Sequence, residues 1–139
     1  MATNKVSFYF RKDFNVTKHG EYKAGTDLLQ GDAVKRNQST KELEIAQNSE
    51  EFEGVAFKWL LNTQGTDNLE IPAGQRCLVG VGTDYEFVIL GNQEGLQGMN
   101  EGEQVAVEAG KFVSPSDGND AVGEVVQKFP NGEVAVLIY

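Results

Sequence analysis

The stretch Cys77-Leu78-Val79-Gly80-Val81-Gly82-Thr83-Asp84-Tyr85-Glu86-Phe87-Val88-Ile89-Leu90 decides the fold. Cys77, Val79 and Val81 alternate with Leu78, Gly80 and Gly82; after Thr83-Asp84, Tyr85, Phe87 and Ile89 alternate with Glu86, Val88 and Leu90. A period of two marks strands, because successive side chains of an extended backbone point to opposite faces. The same period runs outward in both directions. Val6, Phe8 and Phe10 alternate with Ser7, Tyr9 and Arg11, and Leu43 and Ile45 with Glu42 and Glu44. Val105 and Val107 precede Lys111-Phe112-Val113, and residues 121–128 and 133–139 close the chain. The pattern predicts an all-β protein, a small β-barrel or β-sandwich with an extended N-terminal arm and at most one short helix.

Turn chemistry separates these runs. Pro130-Asn131-Gly132 predicts a hairpin over 122–139, since Pro presets φ and Asn and Gly tolerate the positive φ of a tight reversal. Further breaks fall at Gly65-Thr66-Asp67-Asn68, Pro72-Ala73-Gly74, Gly91-Asn92, 95–102 and Ser114-Pro115-Ser116-Asp117-Gly118. Residues 52–61 fit both helical and strand spacing, and Gly54 with the aromatic content favours a strand. A short helix is expected, if anywhere, around Gly95 to Glu103. The first thirty residues read as one strand followed by a long loop.

Length and composition set the class. The chain has 139 residues, enough for one core, with 40% hydrophobic and 24% charged residues. No apolar run approaches the ~20 residues of a membrane helix, and Met1-Ala2-Thr3-Asn4-Lys5 does not open a secretory leader. Cys77 is the only cysteine, which forbids an intrachain disulfide and any all-cysteine metal site. A net charge of −9 disfavours a nucleic-acid backbone as partner. The charge is uneven: residues 1–36 hold seven Lys/Arg against four acids, a net +3, leaving −12 for the remainder. That front is either a solvated surface or a docking arm for an acidic partner.

Catalytic constellations are not expected. His19 lies in the polar setting Lys18-His19-Gly20-Glu21, with no nucleophile elbow nearby. Cys77 shares a strand face with Val79 and Val81 and reads as a small buried apolar residue. Asp117-Gly118-Asn119-Asp120 offers oxygens to a cation but lacks the spacing of a calcium loop. Gly80-Val81-Gly82 is followed by more strand, not by a helix-opening glycine, so it is no dinucleotide fingerprint. Asn15-Val16-Thr17 and Asn37-Gln38-Ser39 match the glycosylation sequon and, without a leader, read as chance. Gly82-Thr83-Asp84-Tyr85 faintly resembles a dUTPase signature, but no Arg-Gly-rich phosphate arm follows. The chain is expected to be no enzyme, with no cofactor and no metal.

Taken in order, Leu28-Leu29-Gln30-Gly31-Asp32-Ala33-Val34, Glu53-Gly54-Val55-Ala56, Glu70-Ile71-Pro72-Ala73-Gly74-Gln75, Glu101-Gly102-Glu103-Gln104-Val105, Ala121-Val122-Gly123-Glu124-Val125-Val126 and Glu133-Val134-Ala135-Val136-Leu137 form a characteristic series. The series resembles the small β-rich capsid decoration, or head cement, proteins of tailed bacteriophages. The resemblance covers residues 26–139 as a β-barrel decoration domain behind an arm, strand and loop at 1–25. It implies a structural virion protein, made in the host cytoplasm, that binds the capsid exterior and stabilises the expanded head. Its partner would be the major capsid protein and its state a homotrimer, with no nucleic acid and no membrane involved. Val6, Phe8, Phe10, Arg11 and Lys12 are the candidate capsid contacts: such a row could add to a sheet edge of the shell, so that deleting residues 2–14 abolishes binding and leaves the body folded. The row could equally belong to the chain's own barrel. Two other functions stay open, a tail-tube or head–tail connector subunit, and a carbohydrate-binding module stacking sugars on Trp59, Tyr85 or Tyr139.

Overall fold

The structure is a computed structural model that describes residues 7–58, 70–91 and 93–139. Its strands are β1 (Ser7–Lys12), β2 (Val16–Ala24), β3 (Leu28–Leu29), β4 (Ala33–Asn37), β5 (Glu42–Ile45), β6 (Gly54–Lys58), β7 (Glu70–Ile71), β8 (Arg76–Gly82), β9 (Tyr85–Leu90), β10 (Gln104–Glu108), β11 (Lys111–Val113), β12 (Gly123–Lys128) and β13 (Val134–Ile138), with one helix, α1 (Glu94–Gln97). Strands β2-β5-β4-β6-β8 form a closed barrel, β1-β9-β13-β12-β10-β11 a six-stranded sheet, and β3-β7 a short pair. The all-β expectation with one short helix holds.

The opening stretch supplies β8 and β9, one strand to each sheet. In β8, Cys77 and Val79 are fully buried inside the barrel. On the opposite face a side chain at Gly80 would put its Cβ 2.5 Å from Phe10 Cζ. The missing side chain therefore lets an aromatic ring lie against the outside of the barrel. In β9, Tyr85, Phe87 and Ile89 enter the second core. The final hairpin pairs β12 with β13, and its turn closes with Gly132 N–H donating to Phe129 O at 3.0 Å, Gly132 having φ +95°.

Closure of the barrel depends on β2. This nine-residue strand pairs antiparallel with β8 and, at Lys23 and Ala24, parallel with β5. The sequence reading expected a loop here. A register shift between His19 and Tyr22 breaks the alternation, so only Tyr22 and Ala24 are buried and the apolar signal is lost among Lys18, His19 and Lys23. Within the described part of the ambiguous stretch, Gly54–Lys58 is a strand, β6, with Val55 and Ala56 both buried because one side faces the barrel and the other the second core. Trp59 and the expected break at 65–68 lie outside the described residues.

Two apolar clusters result. The barrel interior holds Tyr22, Ala24, Leu28, Val34, Leu43, Ala56, Ile71, Cys77 and Val79. The larger cluster lies between barrel and sheet and takes Ala33, Ala46 and Val55 from the barrel's outside. Full burial of a Leu, Ile, Val or Phe side chain contributes roughly 1.5–3 kcal/mol. Polar clamps cross the seam: Gln93, 2% exposed, donates to Gly31 O at 3.0 Å and accepts from Phe112 N–H at 2.8 Å. Lys111 Nζ meets the buried Asp32 carboxylate at 2.6 Å, and the other Asp32 oxygen accepts from Leu29 N–H at 2.8 Å.

Candidate partner-binding surface

Strand β1 lies at one edge of the six-stranded sheet, paired with β9 from Ser7 opposite Leu90 to Lys12 opposite Glu86. Alternation sends Phe8 and Phe10 inward. Phe8 lies 5.4 Å from Phe87 and 5.8 Å from Phe57, and Phe10 lies 5.3 Å from Phe57 and 5.9 Å from Tyr85, centroid to centroid. The chain's own core thus holds these two rings. Deletion of residues 2–14 would uncover Phe57 and Gly80, so the expectation of an undisturbed body does not follow. Val6 lies outside the described residues.

The outward face of β1 carries Tyr9, 45% exposed, and Arg11. Arg11 donates to Glu86 Oε1 at 2.8 Å and Gln127 Oε1 at 2.7 Å, and its guanidinium sits 5.9 Å from the Phe129 ring centre. Lys12 pairs with Asp84 at 3.0 Å. In the turn that follows, closed by Val16 N–H to Asp13 O, Phe14 is 81% exposed. Tyr9 and Phe14 are the exposed aromatics of this front. Sequence reasoning passed over both, because Tyr9 has the opposite parity to the apolar row and Phe14 sits between turn formers.

The basic front is largely neutralised within the chain. Five of its seven bases, Arg11, Lys12, Lys18, Lys35 and Arg36, lie within 4 Å of their own carboxylates. Exposed pairs of this kind contribute about 0–1 kcal/mol each. The side-chain hydrogen bond to Glu53 holds the Arg36 guanidinium above its ordinary value.

The remaining candidates are accounted for locally. Burial pushes the Cys77 thiol up to about 11, which suppresses the thiolate that reactivity requires. His19 stands 3.7 Å from Glu21 on the barrel surface. Within Asp117-Gly118-Asn119-Asp120, Asn119 accepts from Ser49 N–H and donates to Val107 O, both at 2.8 Å, while Ser49 Oγ accepts from Val107 N–H. Asn119 thus fastens a loop to β10. Among the described residues no three His, Cys, Asp or Glu side chains gather as a metal site, and no helix is long and apolar enough to cross a membrane. Tyr85 is fully buried and presents no stacking face; burial pushes its hydroxyl well above its ordinary value, and its Oη has no hydrogen-bond partner among the described residues. Tyr139 is 45% exposed, donating to Glu124 Oε1 and accepting from Gln104 Nε2. A shallow depression of about 290 Å³ beside β3 and β7 is lined by Asp27, Leu28, Leu29, Glu70, Ile71 and Pro72.

No family model, curated protein or solved structure matches this chain.

Proposed function

We propose that the chain is a structural virion protein that binds the outer surface of a tailed-phage capsid, through the major capsid protein, and stabilises the expanded head as a homotrimer. The observation that carries this reading is the ordered series of segments in which the resemblance lies. Each is a working part of the fold: Gly31-Asp32-Ala33-Val34 leads into β4, Gly54-Val55-Ala56 runs in β6, and Ile71-Pro72-Ala73-Gly74 turns into β8. Gly102-Glu103-Gln104-Val105 leads into β10, and Val122-Gly123-Glu124-Val125 opens the last hairpin.

The physical task fits a rigid body clamped across its seam. A protein that binds the expanded shell more tightly than the unexpanded one shifts the shell toward expansion by its difference in affinity alone. Binding needs exposed anchors, and aromatic side chains are the commonest ones at interfaces. With Phe8 and Phe10 in the chain's own core, Tyr9, Arg11, Lys12 and Phe14 form the contact surface of the front.

Co-sedimentation of the purified chain with undecorated expanded and unexpanded capsids tests this. Retention on expanded shells is expected, with at least tenfold weaker retention, about 1.4 kcal/mol, for a Tyr9→Ser/Phe14→Ser variant of unchanged melting temperature. No retention on either shell sinks the proposal. A solution mass of a hexameric ring in place of a trimer would point to a tail-tube subunit.

A further inference from the structure

We infer that the chain contains two copies of one five-stranded arrangement, the barrel strands β2, β4, β5, β6 and β8 within residues 16–82 and strands β9–β13 within residues 85–139, joined by β1, with the β3–β7 pair present in the first copy alone. The inference goes beyond the proposed function and stands independently of it.

Strand order is the first observation. In the first unit the strands lie side by side as β2-β8-β6-β4-β5, and in the second as β9-β13-β12-β10-β11. In chain order within each unit both read first, fifth, fourth, second, third. Two unrelated five-stranded sheets have many orders open to them, and a shared non-sequential order is already restrictive.

The hydrogen bonds at the lead-in to the second strand of each unit then correspond, in the same backbone atoms and with a side-chain oxygen at each matching place, one extra residue of β12 being taken up by its register shift between Val125 and Gln127. Gly31 N–H donates to Ala56 O and Gly102 N–H to Val125 O, both at 2.7 Å; the two glycines have φ +93° and +91°. Leu29 N–H donates to the Asp32 carboxylate and Asn100 N–H to the Glu103 carboxylate, both at 2.8 Å. Ala56 N–H returns to Asp32 O and Val125 N–H to Glu103 O, both at 2.9 Å. Lys58 N–H is held by Gln30 Oε1 at 3.0 Å, Lys128 N–H by Glu101 Oε2 at 2.8 Å. A side chain added at Gly54 would collide with Gly80 O, and one at Gly123 with Leu137 O.

Packing follows the same correspondence. Leu28, Val34, Leu43 and Val79 fill the barrel, and the matching Met99, Val105, Phe112 and Val136 fill the second core. Gly25 sits against Leu43 O as Gly95 sits against Phe112 O.

The units differ where the first strand meets the third. In the first, β2 pairs with β5 and the barrel closes. In the second, the matching side of β9 carries β1, and Gln93 with α1 covers β11. The backbone of β1 thus belongs to the second unit, while the Phe8 and Phe10 rings reach Phe57 and Gly80 of the first. The strand bolts one copy to the other.

Residue-resolved amide exchange on the intact chain tests both parts. Gly31→Ala is expected to accelerate exchange at Asp32, Ala56 and Lys58, and Gly102→Ala at Glu103, Val125 and Lys128, each by tenfold or more. Release of non-matching amides, or silence of one variant, overturns the correspondence. If either variant fails to fold, Gln30→Ala and Glu101→Ala carry the same comparison at the Lys58 and Lys128 amides. Phe10→Ala is expected to accelerate exchange in β6 and β8 as well as in β9, and an effect confined to β9 overturns the role of β1.

Discussion

In the barrel, β2 reaches β5 and the sheet closes around nine buried apolar residues, two of which, Leu28 and Ile71, come from the β3–β7 pair. In the six-stranded sheet β9 and β11 stay apart, and β1, Gln93 and α1 stand at the edges that closure would have removed. An open edge exposes unpaired backbone groups, and a chain must either join its edges or cover them. The two regions show both solutions within one molecule, and the covered one depends on pieces from outside its own five strands.

Removing matched core side chains should break this comparison most severely. Phe112→Ala is expected to cost about 4 kcal/mol and Leu43→Ala about 3 kcal/mol in denaturant unfolding, each with a single transition, because the aromatic rings and polar clamps make the seam continuous. A barrel that survives Phe112→Ala as a separate transition would show the regions to be independent. Next comes Lys111→Met, which removes the Lys111 ammonium from beside the buried Asp32 carboxylate; Lys111 is itself part-exposed, so about 2 kcal/mol is expected. A thermal melt of that variant against Asp32→Asn/Lys111→Met should show the double variant recovering part of the loss. Gly80→Ala pushes a methyl group into Phe10 and should cost about 1–2 kcal/mol, read by the same melt.

The smallest effect sharpens the contact of β1 with the last hairpin. Glu133 is held below the ordinary carboxylate value by a hydrogen bond from Asn131 and a second from Ser7. A depressed carboxylate adds stability above its unfolded value and loses it as pH falls through the folded one. Asn131→Ala should move the Glu133 titration upward by NMR, and Ser7→Ala should move it less.

Strands β8 and β9 were legible from their alternation, and the β12–β13 hairpin, which has a register shift of its own, from its turn: they stand where Cys77-Val79, Tyr85-Phe87-Ile89 and Pro130-Asn131-Gly132 put them. Strand β2 was not, because its register shift moves the buried Tyr22 and Ala24 out of phase with Val16. The partner surface was half legible. Parity marked Phe8 and Phe10 as one apolar row, but nothing local tells an apolar row that seeks a partner from one that fills a core. The repeated unit was hidden because its matches are made by backbone and by residues of different chemistry, Leu43 against Phe112, Cys77 against Val134, Gln30 against Glu101. Only the two Gly-acid-x-Val segments showed it in letters.

The pairing of β1 with β9 also sets an order in time. Every residue of the barrel up to Gly82 is synthesised before the first residue of β9, so β1 leaves the ribosome with no strand to pair with. Until β9 has emerged, Phe8 and Phe10 lack the Phe87 and Tyr85 rings that cover them, the situation in which apolar surface invites self-association. Pairing across so long a loop is slow to find. Among the described strands, β1 is therefore made before the barrel yet meets its backbone partner only after the barrel is complete.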